Sequence, residues 1–197
     1  MNFIIKILLL LFTSSQLFAQ GKTNLEMINQ LVDSSTTKIS NEIINRSVGY
    51  NLQLNSVIDY SRLDERILSS FSSRGIKLII DSTKANKLNY SITQTGVEYS
   101  DLFRDGLFGN YLLERKFVLS GNFSVQNSST ILSANTFYYT VTDTVPYDRF
   151  IFIENNSLPF TKGKVPEPPF VPSLLEPIVA ITAVVVTVIL FFSVRSK

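Results

Sequence analysis

The sequence predicts an α+β domain with a mostly antiparallel sheet, helices on one face of it, and a C-terminal transmembrane helix. Apolar residues recur at helical spacing early in the chain, at 24–45 and 59–75. Stretches that alternate apolar and polar residues follow, between 88 and 145. A run without charged residues covers 177–194. Helices that precede a series of strands indicate the α+β class.

The first predicted helix covers residues 24–45, where apolar residues lie three or four positions apart. Its middle, 34–37, is polar, so the sequence leaves open whether this is one helix or two. A half-buried strand is predicted at 49–55, because Tyr50 begins an alternation of apolar and polar residues.

The second predicted helix covers residues 59–75 and carries an apolar stripe on one face. Gly75 supplies its C-terminal cap, since glycine adopts the left-handed conformation without steric cost. The apolar segment 76–81 predicts a short buried strand. The strand–helix–strand order indicates a right-handed crossover.

Three long strands are predicted next, at 88–100, 113–127 and 130–145. A tight turn after Asn127 makes the second and third of these strands a hairpin. Residues 147–155 predict a short helix that closes the domain.

The two ends of the chain predict its topology. Residues 1–19 combine a basic start, a short apolar core and Ala19 at a cleavage point, as secretory signal peptides do. Residues 174–194 would span roughly 30 Å as a helix, the thickness of a bilayer's hydrocarbon core. The basic tip, 195–197, stays in the cytoplasm under the positive-inside rule. The bulk of the chain, 20–157, is therefore predicted to be extracytoplasmic, and periplasmic in a bacterium.

The predicted span begins with a capping box formed by Ser173 and Glu176. A Pro-rich, extended stalk, 158–173, joins it to the domain. Two alternatives remain for the ends of the chain. The N-terminal segment could be an uncleaved anchor, and the apolar tail could be the signal for a glycosylphosphatidylinositol anchor.

The stalk begins with LPFTKG. Leu158, Pro159 and Thr161 match the LPxTG motif, so the segment resembles a sortase sorting signal, which also precedes an apolar span and a basic tail. Lys162 stands where that family has the glycine of the cleaved bond. A sorted surface protein is therefore an alternative interpretation.

Composition narrows the classes of function. The chain has no cysteine and no histidine, which excludes a lipid-modified cysteine, disulfides, thiolate metal sites and a Ser-His-Asp triad. Lys6, Arg195 and Lys197 lie outside the exported part, so 15 of the 18 basic residues remain in it. Glu176 also lies outside it, so 15 of the 16 acidic residues remain. The exported part is therefore neutral. A neutral domain is not predicted to bind nucleic acid. No cofactor is predicted.

Two groups of carboxylates are candidates for a catalytic site or a metal site. Asp64 and Glu65 are adjacent on a predicted helix and point about 100° apart, so they cannot act as an acid–base pair on one substrate. Asp101, Asp105 and Glu114 lie near one loop but lack the alternating oxygen ligands of a calcium loop. Neither pattern predicts a catalytic residue or a metal site.

The predicted connection 99–114 is unusually apolar for a loop. Either it folds back and covers the open face of the sheet, or it presents an apolar patch to a partner or a membrane. Under the second interpretation, the partner-contact residues are Leu102, Phe103, Leu107, Phe108 and Tyr111.

Residues 48–145 resemble small α+β domains of the bacterial envelope. The resemblance lies in the helix and short strand LDERILSSFSSRGIKLIID and in the strands LNYSITQTGVEY and RKFVLSGNFSV. The families are the curli-secretion lipoproteins, the flagellar outer-membrane accessory proteins and the lipopolysaccharide-assembly lipoproteins. Those proteins are usually lipid-anchored through an N-terminal cysteine, which this chain lacks. The resemblance implies a fold and no site residues.

The predicted function is that of a membrane-anchored extracytoplasmic interaction domain, an accessory or assembly factor of an envelope complex. Its expected partners are the membrane, through one C-terminal span, and an envelope protein. The alternatives are an extracytoplasmic enzyme acting on carbohydrate and a sortase-type surface protein.

Overall fold

The structure is a computed structural model that describes six stretches of the chain: 21–43, 45–80, 86–106, 109–127, 130–167 and 170–195. The side chains of 58, 170–176 and 194–195 lie outside this description. The predicted signal peptide, 1–19, also lies outside the described residues.

A four-stranded mixed sheet with helices confirms the predicted α+β class. The elements in chain order are α1 (Asn24–Glu42), β1 (Tyr50–Leu54), a 3₁₀ helix (Ile58–Leu63), α2 (Asp64–Ser73), β2 (Asn86–Arg104), β3 (Tyr111–Asn127), β4 (Thr130–Pro146), a 3₁₀ helix (Tyr147–Arg149), α3 (Phe150–Ile153), a 3₁₀ helix (Pro159–Thr161) and α4 (Phe170–Arg195). The strand order is β1-β2-β3-β4. β1 pairs with β2 in parallel, and the other two pairs are antiparallel.

A capping box begins α1. The backbone N–H of Glu26 donates to the hydroxyl of Thr23 at 3.2 Å, and the N–H of Thr23 donates to the Glu26 carboxylate at 2.8 Å. Hydrogen bonding of the Glu26 carboxylate to the backbone N–H of Thr23, and secondly to the Thr23 side chain, lowers the pKa of Glu26. The helix therefore starts at a defined residue, although the sequence reading did not single out this cap.

The polar stretch in the middle of α1 does not divide it. The hydroxyls of Ser35 and Thr36 donate back to the carbonyl of Val32 at 2.8 and 3.0 Å. Both hydroxyls also meet polar partners inside the fold, since Ser35 bonds to Tyr90 and Thr36 bonds to Ser70, each at 2.7 Å. Because these buried groups are satisfied, one continuous helix forms.

The second helix ends as predicted, but the strand expected after it does not form. Gly75 has φ 78° at the end of α2. Within the described part of 76–81, Leu78 makes an isolated bridge to Tyr50, and Ile80 is 98% exposed. The segment therefore lies along the outer edge of β1, and β1 pairs with β2 instead, across the α2 crossover.

The core lies between the helices and one face of the sheet. Every second residue of β3 from Leu113 to Val125 is buried, and α1 contacts β2, β3 and β4 on this side. The other face of β3 stays partly accessible. This alternation is the period of two that the sequence showed.

β2 and β3 are longer than predicted and replace the expected loop. β2 continues to Arg104 and β3 begins at Tyr111, with a register shift between Tyr99 and Leu102. The prediction of a long connection over 99–114 is therefore wrong. Most of the apolar residues in 99–114 belong to the two strands. The strands continue to pair beyond the register shift, because a bulge disrupts the ladder only locally.

The LPFTKG segment packs on the domain. Leu158, Phe160 and Thr161 are 8%, 6% and 0% exposed. The Phe160 ring meets the edge of Tyr60 with centroids 5.8 Å apart. The stalk does not begin at residue 158 as predicted, since apolar burial holds this segment against the core.

The C-terminal helix begins earlier than predicted. α4 starts at Phe170, so Ser173 lies within the helix. The side chains of Ser173 and Glu176 lie outside the described residues. The described side chains of α4, 177–193, are all exposed. Over the residues whose side chains are described, no helix reaches the length and apolarity that crossing a bilayer requires.

Candidate interaction surface

The β2–β3 hairpin closes in a short, hydrogen-bonded turn. The N–H of Asp105 donates to the carbonyl of Asn110 at 3.0 Å, and the side chain of Arg104 donates to the carbonyl of Gly109 at 2.9 Å. Gly106 has φ 75°, a left-handed conformation that glycine adopts readily. The tip is therefore held by its own hydrogen bonds.

The predicted contact residues divide between the two faces of this hairpin. Leu102 pairs with Leu113 on the core face and is partly buried. Phe103 pairs with Leu112 on the other face, and it remains 43% exposed. Leu107 and Phe108 lie outside the described residues.

Tyr111 is half-buried and holds the hairpin together. It stands opposite Arg104, whose guanidinium carbon lies 5.6 Å from the centroid of the Tyr111 ring. Its hydroxyl is buried and, among the described residues, has no hydrogen-bond partner. Tyr111 is therefore less available for a partner than Phe103.

Two strongly exposed apolar residues that the sequence reading did not single out lie in α3. Ile151 is 65% exposed and Phe152 is 78% exposed, while Ile153 in the same turn is 7% exposed. One turn of helix cannot bury four consecutive apolar side chains against one surface. The run FIFI was therefore the signal in the sequence that could have found them.

Phe103 and the α3 pair lie at the same end of the sheet as one small apolar cluster, with Phe103 on the open face of the sheet and α3 on the core face. Its buried members are Tyr99, Leu113, Val145 and Ile153, and Leu102, Phe150 and Val165 pack against it. The strand ends meet here as well, since β3 pairs with the end of β4 through Leu112 and Pro146. We call the exposed residues Phe103, Ile151 and Phe152 the apolar end.

The chain leaves the domain toward this end. Gly163 lies so close to Tyr99 that a Cβ at this position would stand 2.8 Å from the ring. Val165 then packs on the cluster beside the apolar end, and α4 begins shortly afterwards at Phe170. The C-terminal helix therefore starts near the same end of the sheet.

A buried polar network fixes the elements behind this surface. Arg115 on β3 is 0% exposed and donates to both carboxylate oxygens of Asp143 on β4, at 2.6 and 2.8 Å. It also donates to the side-chain oxygen of Asn24 at 2.6 Å and to the carbonyl of Lys22 at 2.7 Å. Because the alternation of β3 turns position 115 inward, the sequence pattern could have indicated this buried arginine.

The network continues to the C-terminal segment. The Asn24 amide donates to the hydroxyl of Tyr99 at 2.9 Å and to the carbonyl of Thr161 at 2.8 Å. The Tyr99 hydroxyl donates to the carboxylate of Glu154 at 2.9 Å. Burial, more than any other cause, raises the pKa of Tyr99. The groups satisfy one another, which indicates a structural role for the network.

An open groove of about 650 Å³ lies between α1, α2 and the segment that follows α3. Arg62 and Arg66 line it together with one carboxylate, that of Glu65. Asp64 does not line the groove, and burial raises its pKa. The described residues that line the groove therefore do not include the pair of carboxylates that glycoside hydrolysis usually requires.

The other acidic pattern also stays dispersed. The Glu114 carboxylate accepts a hydrogen bond from Ser100 at 2.7 Å. Across the described stretches, no three acidic side chains come together in a way that could hold a metal ion.

No protein-family model and no curated protein matches the sequence. Several solved structures match the chain weakly, among them two bacterial lipoproteins. A minor lipoprotein from Acinetobacter baumannii is 15% identical, with a TM-score of 0.33, over 50% of this chain and 66% of that chain. The rare lipoprotein B from Shewanella oneidensis is 13% identical, with a TM-score of 0.32, over 66% of this chain and 81% of that chain.

This chain therefore matches slightly under two thirds of the length of the Acinetobacter protein. Both similar structures are bacterial lipoproteins, and the sequence pattern resembles envelope lipoproteins. TM-scores this low carry no argument about the function of this chain.

Proposed function

We propose that the protein is a membrane-anchored extracytoplasmic interaction domain, an accessory or assembly factor of an envelope complex, whose apolar end binds an envelope protein. The supporting observation is that Phe103, Ile151 and Phe152 stay 43%, 65% and 78% exposed beside one buried cluster. Exposed apolar patches are typical of interaction sites, and Ile151 and Phe152 are adjacent on α3.

The residues that support the apolar end are ordered before a partner binds, which favours binding. The hairpin tip is closed by the backbone hydrogen bond from Asp105 to Asn110 and by the bond from the Arg104 side chain to Gly109. Ile153 anchors α3 in the buried cluster. Surfaces that are ordered before binding lose less entropy when a partner docks. Aromatic residues in such a position often contribute a large share of the binding energy.

Anchorage through the C-terminal helix is supported by the character of α4. Its described side chains, 177–193, are mostly apolar and exposed on every side. A helix that is apolar all round needs an apolar environment, which lipid or a partner helix provides.

The sortase interpretation is weakened by the fold. The hydroxyl of Thr161 accepts from the N–H of Asn155 at 3.0 Å, and the Thr161 side chain is wholly buried. A transpeptidase could reach the following bond only after this segment opened, and opening it would break these contacts.

A photo-cross-linking amino acid at position 103, in the full chain and in native membranes, tests the contact. The matched control is position 68, because Leu68 is 42% exposed on α2 and lies away from the apolar end. We expect a defined envelope protein to be captured from position 103 and not from position 68. The capture should be lost when Ile151→Ser and Phe152→Ser are combined in a chain that keeps its melting temperature.

Equal products from both positions, or adducts with lipid alone, would overturn the proposed protein contact. Anchorage is tested separately by a chain that ends at residue 167. The full chain should stay with membranes in alkaline carbonate, whereas the shortened chain should be recovered in the soluble extracytoplasmic fraction. A shortened chain that remains in the membrane would show that α4 is not the anchor.

A further inference from the structure

The two edges of the sheet are treated differently. β1 has five residues, and the segment after α2 covers its outer side. The backbone N–H of Tyr50 donates to the carbonyl of Lys77 at 2.8 Å, and the carbonyl of Tyr50 accepts from the N–H of Ile79 at 2.9 Å. β4 has 17 residues and pairs with β3 along one side. Within the described part of the chain, no backbone hydrogen bond reaches its other side.

β4 also lacks most of the features that protect edge strands. Such strands usually carry lysine, proline, a bulge or an unbalanced inward charge. The only charged residue of β4 is Asp143, and Arg115 neutralises it. Its proline is the last residue, Pro146, and the register shift lies at the opposite end, beside Gln126. The middle of the strand is open to pairing.

The middle of β4 is nearly palindromic. Thr136 and Thr140 stand at equal distances from Tyr138, and so do the aromatic residues Phe137 and Tyr139. When two such strands pair antiparallel about Tyr138, threonine lies opposite threonine and an aromatic ring opposite an aromatic ring. Cross-strand pairs of both kinds stabilise sheets.

We propose that β4 pairs antiparallel with β4 of a second copy of this chain, around a two-fold axis at Tyr138, to form a continuous eight-stranded sheet. The palindrome favours a second copy over a strand of another protein, which would need no symmetry. This contact uses a different surface from the apolar end and does not depend on the proposed envelope partner.

The edge is accessible to a second strand. Tyr138 is 63% exposed on the face of the sheet that no helix covers. On the helix-covered face, Tyr139, Val141 and Asp143 remain partly exposed. Glu42 of α1 contacts the strand nearer its start, where it accepts hydrogen bonds from Ser133 and Asn135 at 2.9 and 3.2 Å. Among the described residues, no backbone hydrogen bond occupies the outer side of the strand that an incoming strand would meet.

The chain contains no cysteine, which makes disulfide cross-linking a direct test. In the full chain in native membranes, Tyr138→Cys should oxidise to a product of twice the monomer's mass, because residues opposite each other in antiparallel strands lie within disulfide range. Asn122→Cys is the control. Asn122 is exposed on the same face of β3, but its copy would stand about 14 Å or more away across the joined sheet.

A charged side chain at position 138, on the proposed two-fold axis, allows a second measurement. In detergent, the wild type and Asn122→Lys should both migrate as dimers, whereas Tyr138→Lys should be a monomer with an unchanged circular dichroism spectrum. Equal cross-linking at positions 138 and 122, a wild-type monomer, or a dimer that survives Tyr138→Lys would overturn the proposal. A Tyr138→Cys adduct with a different protein would assign the edge to another chain's strand.

Discussion

The guanidinium of Arg115, near the start of β3, donates a 2.6 Å hydrogen bond to the side chain of Asn24, the first residue of α1. Asn24 then reaches Thr161 in the C-terminal segment. One buried charge therefore joins the beginning of the domain, its central strand and its end. A buried charge is tolerated only when it is paired and hydrogen-bonded, so removal of a partner should be costly.

Asp143→Asn tests this pairing. The substitution keeps the shape of the side chain but removes the charge that balances Arg115. We expect the free energy of unfolding to fall by about 2 kcal/mol, below the range for a wholly buried pair because the Asp143 side chain is 33% exposed. Urea denaturation would measure it. The control is Asp148→Asn, at an exposed position, which should change the free energy of unfolding by less than about 0.5 kcal/mol. Equal losses of stability in the two variants would contradict the pairing of Asp143 with Arg115.

Alkaline pH should destabilise the domain through Tyr90. This side chain is wholly buried, and burial raises the pKa of Tyr90 above its ordinary value. The folded state therefore keeps the proton that the unfolded state loses above about pH 10, so stability falls as pH rises beyond that point. Tyr90 alone should contribute about 1.4 kcal/mol per pH unit.

Denaturation at several pH values, for the wild type and Tyr90→Phe, would measure this contribution. The variant loses the hydroxyl that bonds to Ser35 at 2.7 Å, so it should be less stable at pH 8 and show a shallower decline above pH 10. Parallel declines in the two proteins would contradict the prediction.

Gly121→Ala should damage the sheet. A Cβ at Gly121 would stand 2.0 Å from the carbonyl oxygen of Ser91 and 2.4 Å from the Phe137 ring. Because a backbone atom is involved, relief requires the strands to move, and we expect a loss of about 3 kcal/mol. Gly96→Ala is the matched control, since its Cβ would meet only Phe160 at 3.8 Å, and its melting temperature should stay near that of the wild type.

Thr161→Val should destabilise the domain without altering the size of the mature chain. The hydroxyl donates to the carbonyl of Leu158 at 2.8 Å and accepts from the N–H of Asn155, which valine would leave unpaired. The expected loss is about 1–2 kcal/mol. Ser157→Ala, at an exposed site in the same segment, should have little effect. A change in the mass or location of the Thr161→Val chain would restore the sorting-signal interpretation.

The local elements could be predicted from the amino-acid pattern alone. Periods of 3.6 and 2 predicted both helices and the alternation of the long strands, and Gly75 correctly marked the end of α2. These patterns are readable because each reflects the geometry of a few neighbouring residues, whatever the rest of the chain does.

Which polar groups find a hydrogen-bond partner, and which apolar groups are buried, depends on how distant segments pack together. α1 continues through Ser35 because Tyr90, distant in sequence, supplies a buried partner. The LPFTKG segment reads as linker, yet it packs on the core because Asn24 and Tyr60 arrive beside it. Phe152 remains exposed because α3 has one apolar surface to meet, and Ile153 occupies it. Burial depends on which distant segment lies opposite, and no local pattern records that.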